Sequence, residues 1–230
     1  RLSTPLPAGS KTIGPRKLHN SQWGFVCPTE SPDGSNVGII NHLTIIARVT
    51  TNINESNLLK AMYDYDVQPL EDTIYKEFYH STNVFLNGQL VGIHYQPIML
   101  VQYLRLLKLN SFINITTSIS WNVQMNEVHV FCDSGRIVRP VFSLIKKDKN
   151  ENKFNPLISG DYSLIETWKK AIHGYLYNQY NETLTFEQNE YFKDDLETLK
   201  KDPNYIQILL ENAAPIEYID SIESENALIA

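Results

Sequence analysis

PRKLHNSQWGFVCPTESPDGSNVGII, Pro15–Ile40, is the stretch on which the reading of this chain turns. Prolines 15, 28 and 32 fix the backbone at three points, and glycines 14, 24, 34 and 38 admit tight or left-handed turns. That composition builds a shaped loop. Within it lie Arg16, Lys17, His19, Asn20, Gln22 and Glu30. Arg and Lys neutralise phosphates, Arg with a two-pronged grip. Glu30, between Pro28 and Pro32, is held in a fixed place. Trp23, Phe25 and Val26 need somewhere to pack. Two readings stay open from these residues alone: a phosphate-contacting loop, and an Ω-loop packed by its own Trp23 and Phe25.

Working outward, residues 1–36 are rich in Gly, Pro, Ser and Asn and too long for an ordinary connection. VGIINHLTIIARV, residues 37–49, is a β-branched run read as a buried strand or short helix. The net charge of −6 argues against a nucleic-acid binder, but its distribution is uneven. Residues 1–48 carry five cations against two acids, a net +3, so the remaining 182 residues carry −9. A basic end ahead of an acidic body can make a local electrostatic footprint; the plainer reading is chance clustering of surface charge.

The fold class expected is α+β, in three modules: an irregular segment over 1–48, a hairpin-plus-helix module over 49–143 and a more helical module over 144–230. ESNLLKAMYDY forms a short helix. VFLNGQLVGI, 84–93, is a hairpin turning at Asn87-Gly88. Pro97 opens a helix through about residue 109, with Gln102, Arg105 and Lys108 on its wet side and Leu100, Val101, Leu104 and Leu107 buried. EVHVFCDSGRIVRPVF, 127–142, is a second hairpin turning at Asp133-Ser134-Gly135, with Val128, Val130 and Cys132 alternating inward. Ser163 with Glu166, and Thr185 with Gln188, form capping boxes ahead of two helices. Pro203 opens another. An acidic run closes the chain.

GxSxG, HExxH, GxxxxGK[ST] and GxGxxG are all missing from the sequence. The six histidines are scattered, and no pair stands four apart. Asp194-Asp195 and Glu71-Asp72 read as solvated faces. Cys27 and Cys132 read as isolated buried thiols, not a disulfide scaffold or zinc site. No metal site is expected within this chain, and no run is long and apolar enough for a membrane helix. Opening on Arg1, the chain is read as an internal segment of a longer protein.

The run P-R-K-L-H-N-S-Q-W-G-F-V-C-P-T-E-S-P-D-G resembles the second-largest subunit of multisubunit DNA-directed RNA polymerases, of the cellular and large-virus type. That family carries P-R-x-L-H-x-x-x-W-G-x-x-C-P-x-E-T-P-E-G. Ser31 and Asp33 stand where it usually has Thr and Glu, swaps that keep a hydroxyl and a carboxylate. PLED (69–72), VFLNG (84–88), DSGRIVRPVF (133–142) and EYIDSIESENALIA (217–230) extend the resemblance along the chain. It implies the end of the fork followed by the domains called external 1 and external 2.

The resemblance further implies that residues 6–13 form a fork loop facing downstream DNA, with Ser10, Lys11, Thr12 and Lys17 near the nucleic acid. Arg16 and Glu30 would lie beside the nucleotide site. Asp133, Gly135 and Arg136 would serve a turn and a structural ion pair. Mg²⁺ would be held in the assembled enzyme by residues beyond this chain, which is not catalytic alone. Implied partners are the largest subunit, other subunits, template and non-template DNA and the RNA–DNA hybrid, with no membrane. A structural module that docks subunits or transcription factors is the alternative, and a free-standing nucleic-acid binder a third. The Asn-, Ile-, Tyr- and Lys-rich composition points to an AT-rich genome, a large DNA virus ahead of an AT-rich eukaryote, and the resemblance implies an intracellular setting: the nucleus or, for a virus, host cytoplasm or virion.

Overall fold

Val84 and Leu86, and again Val128 and Val130, are buried at alternate positions, the period of two that a sheet with one dry face demands. In the computed structural model, which describes residues 1–6, 10–73, 80–143, 168–176 and 193–229, they sit side by side in a five-stranded sheet. Its order is β4 (Gln68–Pro69), β6 (Gln89–His94), β5 (Thr82–Leu86), β8 (Glu127–Phe131) and β7 (Ser118–Asn122). The β5–β8 pair is parallel, the others antiparallel. The β5–β6 turn is the expected one, with Asn87 and Gly88 both at positive φ, 48° and 82°. The Asn87 side chain accepts from the Cys132 N–H at 2.8 Å and so pins that turn to the end of β8.

Helix α2 (Pro97–Leu109) contributes Leu100, Leu104 and Leu107 to the core beside this sheet, and α1 (Glu55–Tyr63) adds Leu58 and Met62. Asn54 caps α1 by accepting from the Ser56 N–H at 3.0 Å. Tyr103 of α2 stacks on Tyr65 at 4.0 Å between ring centres. With α3 (Trp168–His173), α4 (Lys193–Lys200), α5 (Tyr205–Glu211) and α6 (Ser221–Asn226), the architecture is α+β as expected. The two capping boxes, Ser163/Glu166 and Thr185/Gln188, and the Asp194-Asp195 pair lie outside the described residues or side chains.

Lys108 corrects the expected wet face of α2. It is 1% exposed. Its Nζ lies 3.0 and 3.1 Å from the two Glu223 carboxylate oxygens and 3.5 Å from Glu217. Arg105 adds two bonds to Glu217, 2.7 Å from Nη2 and 3.3 Å from Nε. Burial opposes ionisation of Glu217, but Lys108 and Arg105 outweigh it and hold the carboxyl below its ordinary range. Burial pushes Glu223 up to about 7, against the pull of Lys108 and with the push of Glu217. Glu217, Asp220 and Glu223 of the acidic run are therefore internal, whereas Glu211 and Glu225 face solvent. Strand β10 (Ile216–Asp220) is buried at every position, and Asp220 caps α6 by accepting from the Glu223 N–H at 2.9 Å.

A second correction concerns 127–142. Gly135 makes the turn, at φ 87°, but the arms do not pair with each other. Both edges of β8 are already taken, by β5 and β7. The second arm, β9 (Ile137–Phe142), instead lies between β10 and β3 (Arg48–Val49) in a separate antiparallel sheet. The expected ion pair is present: Arg136 Nε donates to Asp133 at 2.7 Å, and its Nη1 to Asp220 at 3.3 Å.

Residues 37–49 also depart from a single buried element. They supply β2 (Ile40–Asn41), paired with β1 (Leu2–Ser3), and then β3. Thr44 interrupts the run: its hydroxyl donates to the Gly24 carbonyl at 2.6 Å, and a turn closes from the Ala47 N–H to its own carbonyl. Ile45 and Ile46 are left exposed while Ile39 is buried.

Candidate nucleic-acid interface

Pro15 starts a 3₁₀ turn, Gly14–Arg16, that presents Arg16 to the far end of the same loop. The half-buried guanidinium donates from Nη1 to the carbonyls of Ser35 and Val37, at 2.8 and 2.9 Å, and from Nη2 to that of Ser10 at 2.9 Å. Gly38 makes this closeness possible. Its φ is +70°, and a Cβ there would come 2.6 Å from the Arg16 Cα. Ser31, at the position that departs from the usual Thr, accepts from the Gly38 N–H at 2.8 Å. Its hydroxyl is what the local fold uses.

Arg16 thus draws Ser10 and the 35–38 turn together. Ser10 Oγ lies 2.8 Å from Thr12 Oγ1. Lys11, Thr12 and Lys17 are exposed around this staple. Residues 7–9 of the expected loop 6–13 lie outside the described residues. The staple uses much of the Arg16 fork on the chain itself, so the exposed lysines are the cations left open to solvent here.

Glu30 is held by a different device. Cys27 N–H donates to the His42 carbonyl at 2.8 Å, Val26 bridges to Leu43, and Glu30 Oε1 lies 3.2 Å from His42 Nδ1. Contacts from the Thr29 side chain and backbone pull the Cys27 thiol below its ordinary range. Cys27 is only half-buried; Cys132 is buried, as expected, and burial raises its thiol. His42 was not visible in the sequence as a site residue, because its partners are 12 and 15 positions away with no spacing rule to mark them.

Phe25 is the loop's internal anchor. It is buried, with the Arg139 guanidinium 5.3 Å from its ring centre. Burial pushes Arg139 below its usual range. A Cβ on Gly24, itself at φ +78°, would come 2.6 Å from Arg139 Cδ, so the loop is pressed onto β9. Of the loop's two aromatic rings, Phe25 is buried against Arg139 of β9 and Trp23 is 74% exposed. Among the described residues, no group of three or more His, Cys, Asp or Glu side chains is placed to hold a metal ion. Among the same residues, no helix is long and apolar enough to cross a membrane.

Two domain families match: RNA polymerase Rpb2 domain 3 over residues 1–49 and RNA polymerase Rpb2 domain 4 over 84–144. DNA-directed RNA polymerase II subunit RPB2 of Meyerozyma guilliermondii is 31% identical over the whole chain and 17% of its own length. DNA-directed RNA polymerase subunit Rpo2 of Saccharolobus solfataricus is 30% identical over the whole chain and 18% of its length. DNA-directed RNA polymerase II subunit 2 of Arabidopsis thaliana is 32% identical over 62% of the chain and 12% of its own. The chain spans less than a fifth of these curated relatives. By the two domain matches and the similarity along its full length, the chain belongs to the family of second-largest subunits of multisubunit DNA-directed RNA polymerases.

Proposed function

We propose that this chain forms the fork and external region of an RNA polymerase second-largest subunit, shaping downstream strand separation and the nucleotide-addition site during transcription. The observation that carries this reading is the Arg16 staple at the centre of the family signature. It sets Ser10, Lys11, Thr12 and Lys17 on one loop, where exposed lysines offer electrostatic, salt-sensitive contacts to phosphates. Arg16 and Glu30 are the nucleotide-proximal groups, Arg16 acting at least in part through loop shape. The modules are 1–48, 49–143 and 144–230. Mg²⁺ belongs to the assembled enzyme, held by residues beyond this chain. The partners are the largest subunit, the other subunits, DNA and the RNA–DNA hybrid. The setting is the nucleus or, for a viral enzyme, host cytoplasm or virion.

A docking role for subunits or transcription factors is favoured by one feature. Ile13, Leu18, Trp23 and Ile45 leave apolar surface exposed on the N-terminal segment, as contact surfaces do. The test is an assembled polymerase carrying Arg16→Ala, and separately Lys11→Ala with Lys17→Ala. Arg16→Ala is expected to weaken nucleotide affinity and slow elongation, and the lysine pair to reduce the salt dependence of DNA binding. Unchanged elongation, affinity and salt dependence would refute the reading.

A further inference from the structure

We infer that His42 is a positioning residue for Glu30, a clamp on the Cys27–Glu30 turn; the inference rests on the proposed nucleotide-proximal placement of Glu30. His42 holds the turn at both ends. Its backbone carbonyl accepts from Cys27 N–H at 2.8 Å where the turn begins, and its imidazole Nδ1 lies 3.2 Å from Glu30 Oε1 where it ends. The short antiparallel rung beside it, Val26 with Leu43 and Thr44 N–H to the Phe25 carbonyl at 3.2 Å, fixes the backbone on which the imidazole stands. Pro28 stiffens the stretch between the two grips. Glu30 itself is 62% exposed along its side chain, so without His42 the carboxylate has little to choose one direction over another.

An imidazole N–H at this position donates to the carboxylate and fixes its direction, which a side chain without a donor cannot do.

The test is single-nucleotide addition by the assembled polymerase with Glu30→Gln, His42→Ala, the double variant and His42→Gln. His42→Ala is expected to slow addition about two- to fivefold, the scale of one exposed ion pair. The double variant is expected to be no slower than the slower single one, because both remove the same contact. Both variants keep the backbone grip, but His42→Gln also keeps an uncharged side-chain donor, so it should retain more of the rate than His42→Ala. If Glu30→Gln slows addition but His42→Ala does not, or the two losses multiply, the clamp is refuted while the placement of Glu30 stands. If Glu30→Gln leaves addition unchanged, that placement fails and the clamp's role fails with it.

Discussion

Replacing Lys108 by Met removes a cation that two buried carboxylates share while keeping most of its volume. Lys108, Glu217 and Glu223 are 1%, 3% and 7% exposed along their side chains. Without the ammonium, Arg105 still serves Glu217, and Glu223 keeps the Ile119 N–H at 2.9 Å but, among the described residues, no ion-pair partner. Breaking one side of a buried pair costs about 3–5 kcal/mol, and that loss is expected near pH 8, where Glu223 is ionised. Glu223 has a folded pKa of about 7 against an ordinary 4.5. The folded state thus holds the extra proton, and this contribution is full below about 4.5 and lost as pH rises to about 7. The Lys108→Met penalty should therefore shrink near pH 5.5, where Glu223 is neutral in both proteins. Glu217, held below its ordinary range, works oppositely and loses its contribution only on acidification below 4.5. The assay is denaturant unfolding followed by far-UV circular dichroism at the two pH values. Adding Glu223→Gln to Lys108→Met should restore at least about half of the loss. A penalty below about 1 kcal/mol at pH 8, or a double variant no better than the single, would refute the reasoning.

Burial, with Lys169 adding to it, holds His173 neutral down to about 4. Its contribution is lost as pH falls from about 6.5 towards 4, up to about 3 kcal/mol; in a Glu223→Gln background, His173→Asn should remove that slope in unfolding measurements. Gly38→Ala should loosen the Arg16 staple and speed proteolysis within 10–17, whereas Gly34→Ala, at φ +81° with open space around it, should cost only the left-handed backbone penalty of about 1 kcal/mol. Cys27 should be alkylated at least about tenfold faster than buried Cys132, as read by mass spectrometry, because its thiol is lowered and more accessible.

What the sequence revealed was what local rules control. Asn87-Gly88 announced its turn, Pro97 its helix and Val128, Val130 and Cys132 their buried face, since each depends on neighbours a few positions away. Lys108 was misread because its place in the helical period is polar while its partners lie more than 100 residues on. Separations of 112 and 84 residues from Arg105 and Arg136 likewise hid the burial of Glu217 and Asp220, which read as part of an acidic run. The Asp133–Gly135 turn was legible, but not that β8 had no free edge to offer β9. In the candidate interface, Pro15–Ile40 was recognised as one unit, yet the Arg16 staple depends on backbone carbonyls, which leave no trace in residue identity. His42 was passed over as one scattered histidine among six.

The three-stranded sheet has a consequence for how the protein is made. β9 ends at Phe142, and its partner β10 begins at Ile216, so its second edge stays open until the chain has grown by another 74 residues or more. At roughly 5–20 residues per second, that interval is about 4–16 s. The five-stranded sheet is complete in sequence by Phe131, long before then. During synthesis the protein therefore passes through a stage with one finished sheet and one strand awaiting its neighbour, and it is at this stage that an unpaired edge is available to a chaperone or to a second nascent chain.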